Sequence, residues 1–314
     1  MSRERGGFAR TLADEGGIPS MLWAGGRKKN EPSRLDIRVE LEDFEYSLSC
    51  GPESFEGVFR LDAEVKEERA YILEGRRRHL VLERKNQTAF LRTAEGERAS
   101  FPIALWGNES VLAQITEPYR FPVLSALRAQ FQGRCFYHHF RTDPEAALRQ
   151  PQVGVRTPAL SHDGRDLAAA LLTIFDLGDG QELTRHLNRA FPGAQLEVEG
   201  GSSRLEIMLS LPGLQRPLGC KELSDGTLRY VCLLATLFSP RPPSLLVLNE
   251  PETSLHPDLL SPLAALLEKA SERSQLIVTT HSDVLAAELA RLTGRPPLRL
   301  EKRDGCTELA EPQG

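Results

Sequence analysis

The run Ser244-Leu245-Leu246-Val247-Leu248-Asn249-Glu250-Pro251-Glu252-Thr253-Ser254-Leu255-His256-Pro257 limits what this chain can fold into more tightly than any other stretch. Its four uninterrupted apolar residues, Leu245 to Leu248, predict a strand buried on both faces of a sheet. The strand breaks into a polar, acidic corner, Asn249 to Glu252, at its carboxyl end. In open α/β sheets that edge is where ligands bind. The almost wholly apolar residues 227–238 predict a buried helix before this run. After it, residues 257–270 predict a helix with Leu259, Leu260, Leu263, Leu266 and Leu267 inward. Pro257 suits its first turn and Pro262 should kink it. Residues 276–280 predict the next strand and 284–292 another helix, so the alternation implies a parallel sheet. Asp304-Gly305 reads as a hairpin turn.

Upstream the pattern differs. Phe8 and Leu12, four apart, predict a short helix within residues 1–33, and Ala24 to Asn30 reads as a turn with a solvated charge cluster. From Arg34 the period is two: Leu35, Ile37, Val39 and Leu41 alternate with charged residues, then Phe44, Tyr46, Leu48 and Cys50 with polar ones. Further strands at 58–65, 70–73, 80–82 and 89–91 extend this into an antiparallel meander over residues 34–107 with one solvated face. Arg76-Arg77-Arg78-His79 reads as an exposed hairpin tip. Residues 108–220 read as a mainly helical lobe: 111–134 broken by Pro118 and Pro122, then a helix capped by Asp163 with Leu167, Leu171, Ile174 and Phe175 as its stripe. Leu183, Leu187 and Phe191 form another stripe. Leu196 and Val198 pair with Leu205, Ile207 and Leu209 in a hairpin. His138-His139, between Tyr137 and Phe140, read as structural. Residues 221–314 complete the α/β core.

A chain of 314 residues can bury a sizeable core. Its net charge of −5 argues against a protein that coats nucleic acid, whose footprint would be basic. No run approaches the ~18 apolar residues of a membrane span, and the N-terminus has no secretory apolar core. Cys50, Cys135, Cys220, Cys232 and Cys306 are scattered without a Cys-x-x-Cys pair, as single thiols in a reducing compartment would be. The expectation is a cytoplasmic protein without a membrane partner.

Three elements carry chemistry. The acidic corner suits phosphate transfer to water, which needs a metal-side group and a group that orients or deprotonates the water. Asn249 takes the first position and Glu250 the second. Read plainly, the same corner is a strand end with solvated carboxylates. Leu223-Ser224-Asp225-Gly226-Thr227 opens the apolar helix, so Ser224, Gly226 and the free amides make an anion-binding terminus. As a cap alone, Ser224 or Asp225 would contribute ~1 kcal/mol and touch no ligand. His281 leaves a strand at the same edge, placed either to donate to a terminal phosphate oxygen or to cap a helix. A metallohydrolase built from Glu250, Glu252, His256 and His281 lacks any helical His pair.

Ser224 precedes Glu250 by 26 positions and His281 follows it by 31. With these motifs the chain resembles the ABC-type ATPase group that includes the SMC and RecF-like proteins, and its core is similar to that of bacterial AAA-family ATPases. The resemblance implies an α/β P-loop NTPase fold of the ABC-ATPase head type, with ATP and Mg2+ as cofactors. Ser224, Asp225, Gly226 and Thr227 then match the signature motif, which reaches the nucleotide of a partner subunit. Asn249, the Mg2+ position acting through water, and Glu250, the catalytic one, match Walker B. Ser254, Leu255 and His256 match the dimer-contacting D-loop, His281 the switch histidine, and Gln114, by position, a Q-loop residue. The implied activity is ATP hydrolysis by a homodimer closing around ATP. DNA as a partner is a family-level implication that the acidic composition does not support.

The sequence departs from the family at two points. It contains no Gly-Lys dipeptide, hence no G-x-x-x-x-G-K-[ST] loop to cradle phosphates. The expectation is a fragment or short-start form, with first strand and P-loop encoded upstream. The alternative is a nucleotide-incompetent regulatory subunit offering its signature face to another ATPase. Asn249 also stands where an aspartate is usual, which keeps an oxygen for a metal-bound water but removes a charge.

Overall fold

The computed structural model describes residues 7–26, 33–53, 61–101, 104–200, 204–303 and 305–310. The chain divides into two compact units, Met1–Gly133 and Arg134–Gly314. Among the described residues no helix is long and apolar enough to cross a membrane.

In the first unit, α1 (Gly7–Asp14) and α2 (Ile18–Met21) precede a six-stranded antiparallel sheet in simple sequence order. Its strands are β1 (Leu35–Glu40), β2 (Phe44–Pro52), β3 (Ala63–Glu74), β4 (Arg77–Lys85), β5 (Thr88–Arg92) and β6 (Arg98–Ser100). The period-two pattern sets the pairing: β1 runs from Leu35 opposite Cys50 to Glu40 opposite Glu45. Two strands expected at 58–65 and 70–73 are one, because Val65 to Ala70 continues the ladder against β2 through a bulge at Ser49/Cys50. Val58 itself lies outside the described residues, as do Arg27 to Asn30. The expected arginine tip is also different: the turn is at Gly75-Arg76, and β4 begins at Arg77. Arg78 there donates to Glu45 Oε1 at 2.8 Å and lies 4.4 Å over the Tyr71 ring.

The short helix α3 (Val111–Gln114), capped by Ser110, and α4 (Pro122–Gln132) follow, with Pro122 in the first turn as its missing N–H allows. Val111, Leu112, Ile115, Leu124 and Leu127 share one core with Leu48, Val65, Leu82 and Leu91. The meander's unit therefore takes in two helices that sequence alone groups with the helical lobe. The same unit holds a fully buried charge pair. Arg84 donates to the carbonyls of Asn86 and Glu109 at 2.5 Å and of Trp106 at 2.9 Å, 3.8 Å from Glu68. Glu68 accepts from Tyr46 Oη at 2.9 Å and from the Val111 amide at 2.8 Å. Burial raises its pKa, while these donors and the Arg84 charge oppose the rise.

The second unit opens with β7 (Arg134–Tyr137), a 3-10 turn at Ala147–Arg149 and β8 (Gln152–Val153). Next come α5 (Leu167–Leu177), α6 (Gly180–Ala190), β9 (Gln195–Gly200), β10 (Arg204–Ser210) and β11 (Leu218–Gly219). The expected hairpin forms, with Leu196 opposite Leu209 and Val198 opposite Ile207. Asp166 rather than Asp163 holds the N-cap position of α5, without a side-chain cap bond, its carboxylate accepting instead from the Ser161 amide and hydroxyl. The Asp163 carboxylate accepts from Ser161 Oγ and the Arg165 amide at the preceding turn. Then follow α7 (Asp225–Leu237), β12 (Leu245–Asn249), α8 (Leu260–Ser271), β13 (Gln275–Thr279), α9 (Asp283–Thr293) and the hairpin of β14 (Leu300–Arg303) with β15 (Cys306–Leu309). Asp304 of its turn lies outside the described residues. Pro262 does not kink a long helix. Residues Pro257–Leu259 form a separate 3-10 turn, so Pro262 falls in the first turn of α8, where no N–H partner is required.

The parallel sheet has the order β13-β12-β7. Leu246 and Leu248 are buried with Cys135 and Tyr137 of β7 in one core with α5, α7 and α8. The expectation of burial on both faces is corrected: Phe136 and Ile277, which flank Val247 in register, are exposed. Only one face of this sheet is covered among the described residues, so its strands alternate in burial. Replacing Arg84 by Met should cost about 3–5 kcal/mol by leaving the Glu68 carboxylate buried and unpaired. Urea unfolding measures this; an unchanged midpoint would contradict it.

Candidate functional site

Register at the carboxyl end of the parallel sheet builds the site. Asn249 ends β12 opposite Thr279, the last residue of β13. The Thr279 hydroxyl donates to Asn249 Oδ1 at 2.5 Å, and Asn249 Nδ2 lies 3.0 Å from His138 Nδ1, just past β7. Since an amide nitrogen only donates, His138 Nδ1 is the acceptor and its proton sits on Nε2. One polar row thus crosses all three strands.

Glu250 turns out of this row with φ 45°, a left-handed conformation that costs a non-glycine residue about 1–3 kcal/mol. Its amide donates to the Thr279 carbonyl at 3.0 Å, which holds the turn. Its Oε1 lies 3.2 Å from His281 Nε2, and both side chains are open to solvent, at 39% and 89% exposure. Glu252 anchors the other side of this pair. Its Oε1 accepts from the His281 amide at 3.1 Å and from the Thr280 hydroxyl. Ser282 then caps α9 through the Leu285 amide. A carboxylate that can take a proton and an imidazole that can donate one therefore sit together on a fixed edge.

The Leu223–Thr227 stretch forms the cap and first turn expected of it. Ser224 Oγ accepts from the Thr227 amide at 3.2 Å and shares a hydrogen bond with the Thr227 hydroxyl at 2.8 Å. Gly226 is needed for contact: a Cβ there would stand 2.6 Å from the Ser254 carbonyl oxygen. Ser254 itself has φ 66°. One turn along α7, buried Arg229 donates to the Thr253 carbonyl at 2.7 Å and meets His139 Nδ1. Desolvation, then the charge of Arg229, lowers the His139 pKa, and since a guanidinium only donates, His139 Nδ1 accepts that bond. Leu255 packs on the core of the unit, and His256 Nδ1 accepts from the Asp258 amide to start the 3-10 turn.

The structure therefore brings together Asn249, Glu250 and His281 in one cluster, and Gly226 with Ser254 and Leu255 in another, bridged by the loop 249–255. Gln114 belongs to the first unit, where its amide bonds the Trp106 amide and the carbonyls of Trp106 and Glu109. Sequence reasoning missed His138, His139, Thr279 and Arg229. The first two follow a strand, β7, whose four residues carry no β-branched run and of which only Arg134 falls in the expected helical stretch 111–134. Placing β7 beside β12 is the signal that aligns His138 with Asn249. Among the described residues no group of three His, Cys, Asp or Glu is arranged to hold a metal ion, so the metallohydrolase reading has no ligand set. Asn249 and Glu250 suit Mg2+ only in the way that cation favours, through its retained waters.

A family model described as "AAA domain, putative AbiEii toxin, Type IV TA system" matches residues 25–287. The chain belongs to this AAA family. Its match takes in the signature-like turn, the β12 edge and His281 of the AAA domain, whose α/β core with an antiparallel sheet is that of an AAA/ABC-type P-loop ATPase. Among solved structures, an Smc head domain with an extended coiled coil bound to the C-terminal domain of ScpA, from Pyrococcus furiosus, is 14% identical. It matches over 97% of this chain and 83% of that one, with TM-score 0.44. The SMC head domain from Thermotoga maritima is 15% identical over 90% and 76%, with TM-score 0.38. A structure from work on ATP-driven dimerization and DNA stimulated activation of SMC ATPases is 18% identical over 45% and 88%, with TM-score 0.37. Comparison with curated proteins finds no match.

The close approach at Gly226 yields a direct expectation for the AAA domain. Gly226→Ala should force the 253–255 loop away from α7 and lower stability by about 1–3 kcal/mol. Thermal unfolding checks this, and a variant as stable as wild type would show that the loop yields freely.

Proposed function

We propose that this AAA domain is an ATP-hydrolysing head that closes as a dimer around ATP. In this reading Glu250 orients and deprotonates the attacking water, and His281 donates to a terminal phosphate oxygen. Asn249, held by Thr279 and His138, fixes a water of the Mg2+ shell. Ser224, Asp225, Gly226 and Thr227 present the α7 terminus to nucleotide held with a second subunit, and Ser254, Leu255 and His256 lie in the contact between subunits. Gln114 would sense the nucleotide only if its amide left Trp106 and Glu109. Bound Mg2+ would supply charge neutralisation on the phosphates; the residues of this chain do the positioning.

The observation that carries this reading is the Glu250–His281 pair, 3.2 Å apart beside Asn249 on a parallel-sheet edge. Family membership supports an ATPase of the general kind. The sequence has no Gly-Lys, so in this reading the residues named here supply the hydrolytic and signature sides of the site and not a phosphate loop. That same absence favours a second reading, a regulatory subunit that lends its signature face to another ATPase without turning over ATP itself.

Glu250→Gln separates the two. The substitution should lower kcat about 10²–10⁴-fold while ATP binding persists and an ATP-bound dimer accumulates in sedimentation runs. Equal turnover in both proteins would overturn the role of Glu250. A protein that never binds ATP, yet captures a separate ATPase, would favour the regulatory reading.

A further inference from the structure

Arg149 has no role in the proposed reaction as described so far, yet it is the side chain most committed to the signature-like turn. It ends the 3-10 turn Ala147–Arg149, and its side chain is 7% exposed. Its Nε donates to the Thr142 carbonyl at 2.8 Å. Nη1 donates to the carbonyls of Cys220 and Leu223, both at 2.8 Å, and Nη2 to Asp225 Oδ1 at 2.8 Å. One buried guanidinium therefore gathers the last carbonyls before Ser224 and the carboxylate of the first residue of α7. Only a planar fork with five donors can meet partners in these several directions; an ammonium is a point charge on a flexible stem.

The carboxylate matters because of where it stands. A helix N-terminus attracts phosphate through its free amides and its dipole. Asp225 places a negative charge on that same first turn, and its side chain is 58% exposed. An incoming polyphosphate would meet like charge at close range, where screening by solvent is incomplete. The Arg149–Asp225 pair removes that opposition without offering the phosphate a competing cation, since Arg149 is buried.

Resting on the ATPase reading above, we propose that Arg149 is the positioning residue of the signature turn: it fixes residues 220–223 against the start of α7 and neutralises Asp225, so that the turn can receive nucleotide polyphosphate. The two parts of this role separate by substitution. Arg149→Met removes both. Arg149→Lys keeps a positive charge beside Asp225 but cannot hold the carbonyls of Thr142, Cys220 and Leu223 together. Asp225→Asn removes the charge that needs neutralising.

The test measures amide hydrogen exchange and inorganic triphosphate binding, by calorimetry, on the full chain. Exchange across residues 220–228 should rise in Arg149→Met and in Arg149→Lys, with the β12 and β13 amides unchanged. Triphosphate binding should weaken at least about ten-fold in Arg149→Met, the scale of one charge-assisted contact. It should stay near wild type in Arg149→Lys, and recover in Arg149→Met combined with Asp225→Asn. Rescue by a second substitution is what loss of packing alone would not produce. Unchanged exchange in both Arg149 variants overturns the positioning role, whatever the protein does with nucleotide. No rescue by Asp225→Asn overturns the neutralising role. A wild-type chain that binds no triphosphate, with exchange still altered in the variants, overturns the neutralising role while leaving the positioning role and the ATPase reading standing.

Discussion

The pairing of β12 with β7 on one side and β13 on the other is the constraint from which the rest follows. Leu246 and Leu248 point into the core shared with α5, α7 and α8, and burying each contributes roughly 1.5–3 kcal/mol. Because side chains alternate along a strand, a slip of one residue would turn those leucines out and Asn249 in. The apolar run therefore sets more than a strand. It fixes Asn249 opposite Thr279 and within reach of His138, and it decides where the chain leaves the sheet and turns at Glu250. The strained turn persists because its amide and both flanking segments are held, by Thr279 on one side and by Glu252 on the other. Hydrophobic register is thus converted into the placement of a carboxylate beside an imidazole.

A second layer of control comes from arginines on and before α7. Arg229 ties that helix to the Thr253 carbonyl and to His139, while Arg149 ties its entry to residues 220–225. Gly226 lets the helix come against Ser254. These contacts make the signature-like turn, the 249–255 loop and the segment after β7 a single connected body. A shift of one would be felt at the others, which suits a site whose parts have to meet nucleotide at once.

The sequence revealed the parts whose pattern is local. Period-two alternation from Leu35 to Cys50 located the meander, and the apolar run with Ser224 and His281 at their spacings located the edge and its family. What depended on distant pairing was hidden. β7 is four residues long and gains its strand conformation from its neighbour β12, so Arg134 falls at the end of the expected helical stretch 111–134, Cys135 to Tyr137 show no strand pattern, and the histidines after them read as structural. Arg84, Arg149 and Arg229 carried no signal of their own, because nothing nearby in the sequence names the carbonyls that surround them. The open face of the parallel sheet was equally invisible: Leu245 to Leu248 are all apolar, yet burial reaches only Leu246 and Leu248.

The central claim is that the β12 edge surrounds the terminal phosphate and metal of bound ATP. Titrating Mn2+–ATP into the protein while following histidine imidazole signals by NMR tests it most directly, since a paramagnetic ion broadens only its near neighbours. His138 and His281 should broaden first. His186 should stay sharp, because its ring packs at a tilt against Phe238 at the far end of α7, whose 13 residues span about 20 Å from Ser224. Sharp signals from His138 and His281 at saturating Mn2+–ATP, or equal broadening of His186, would contradict the account.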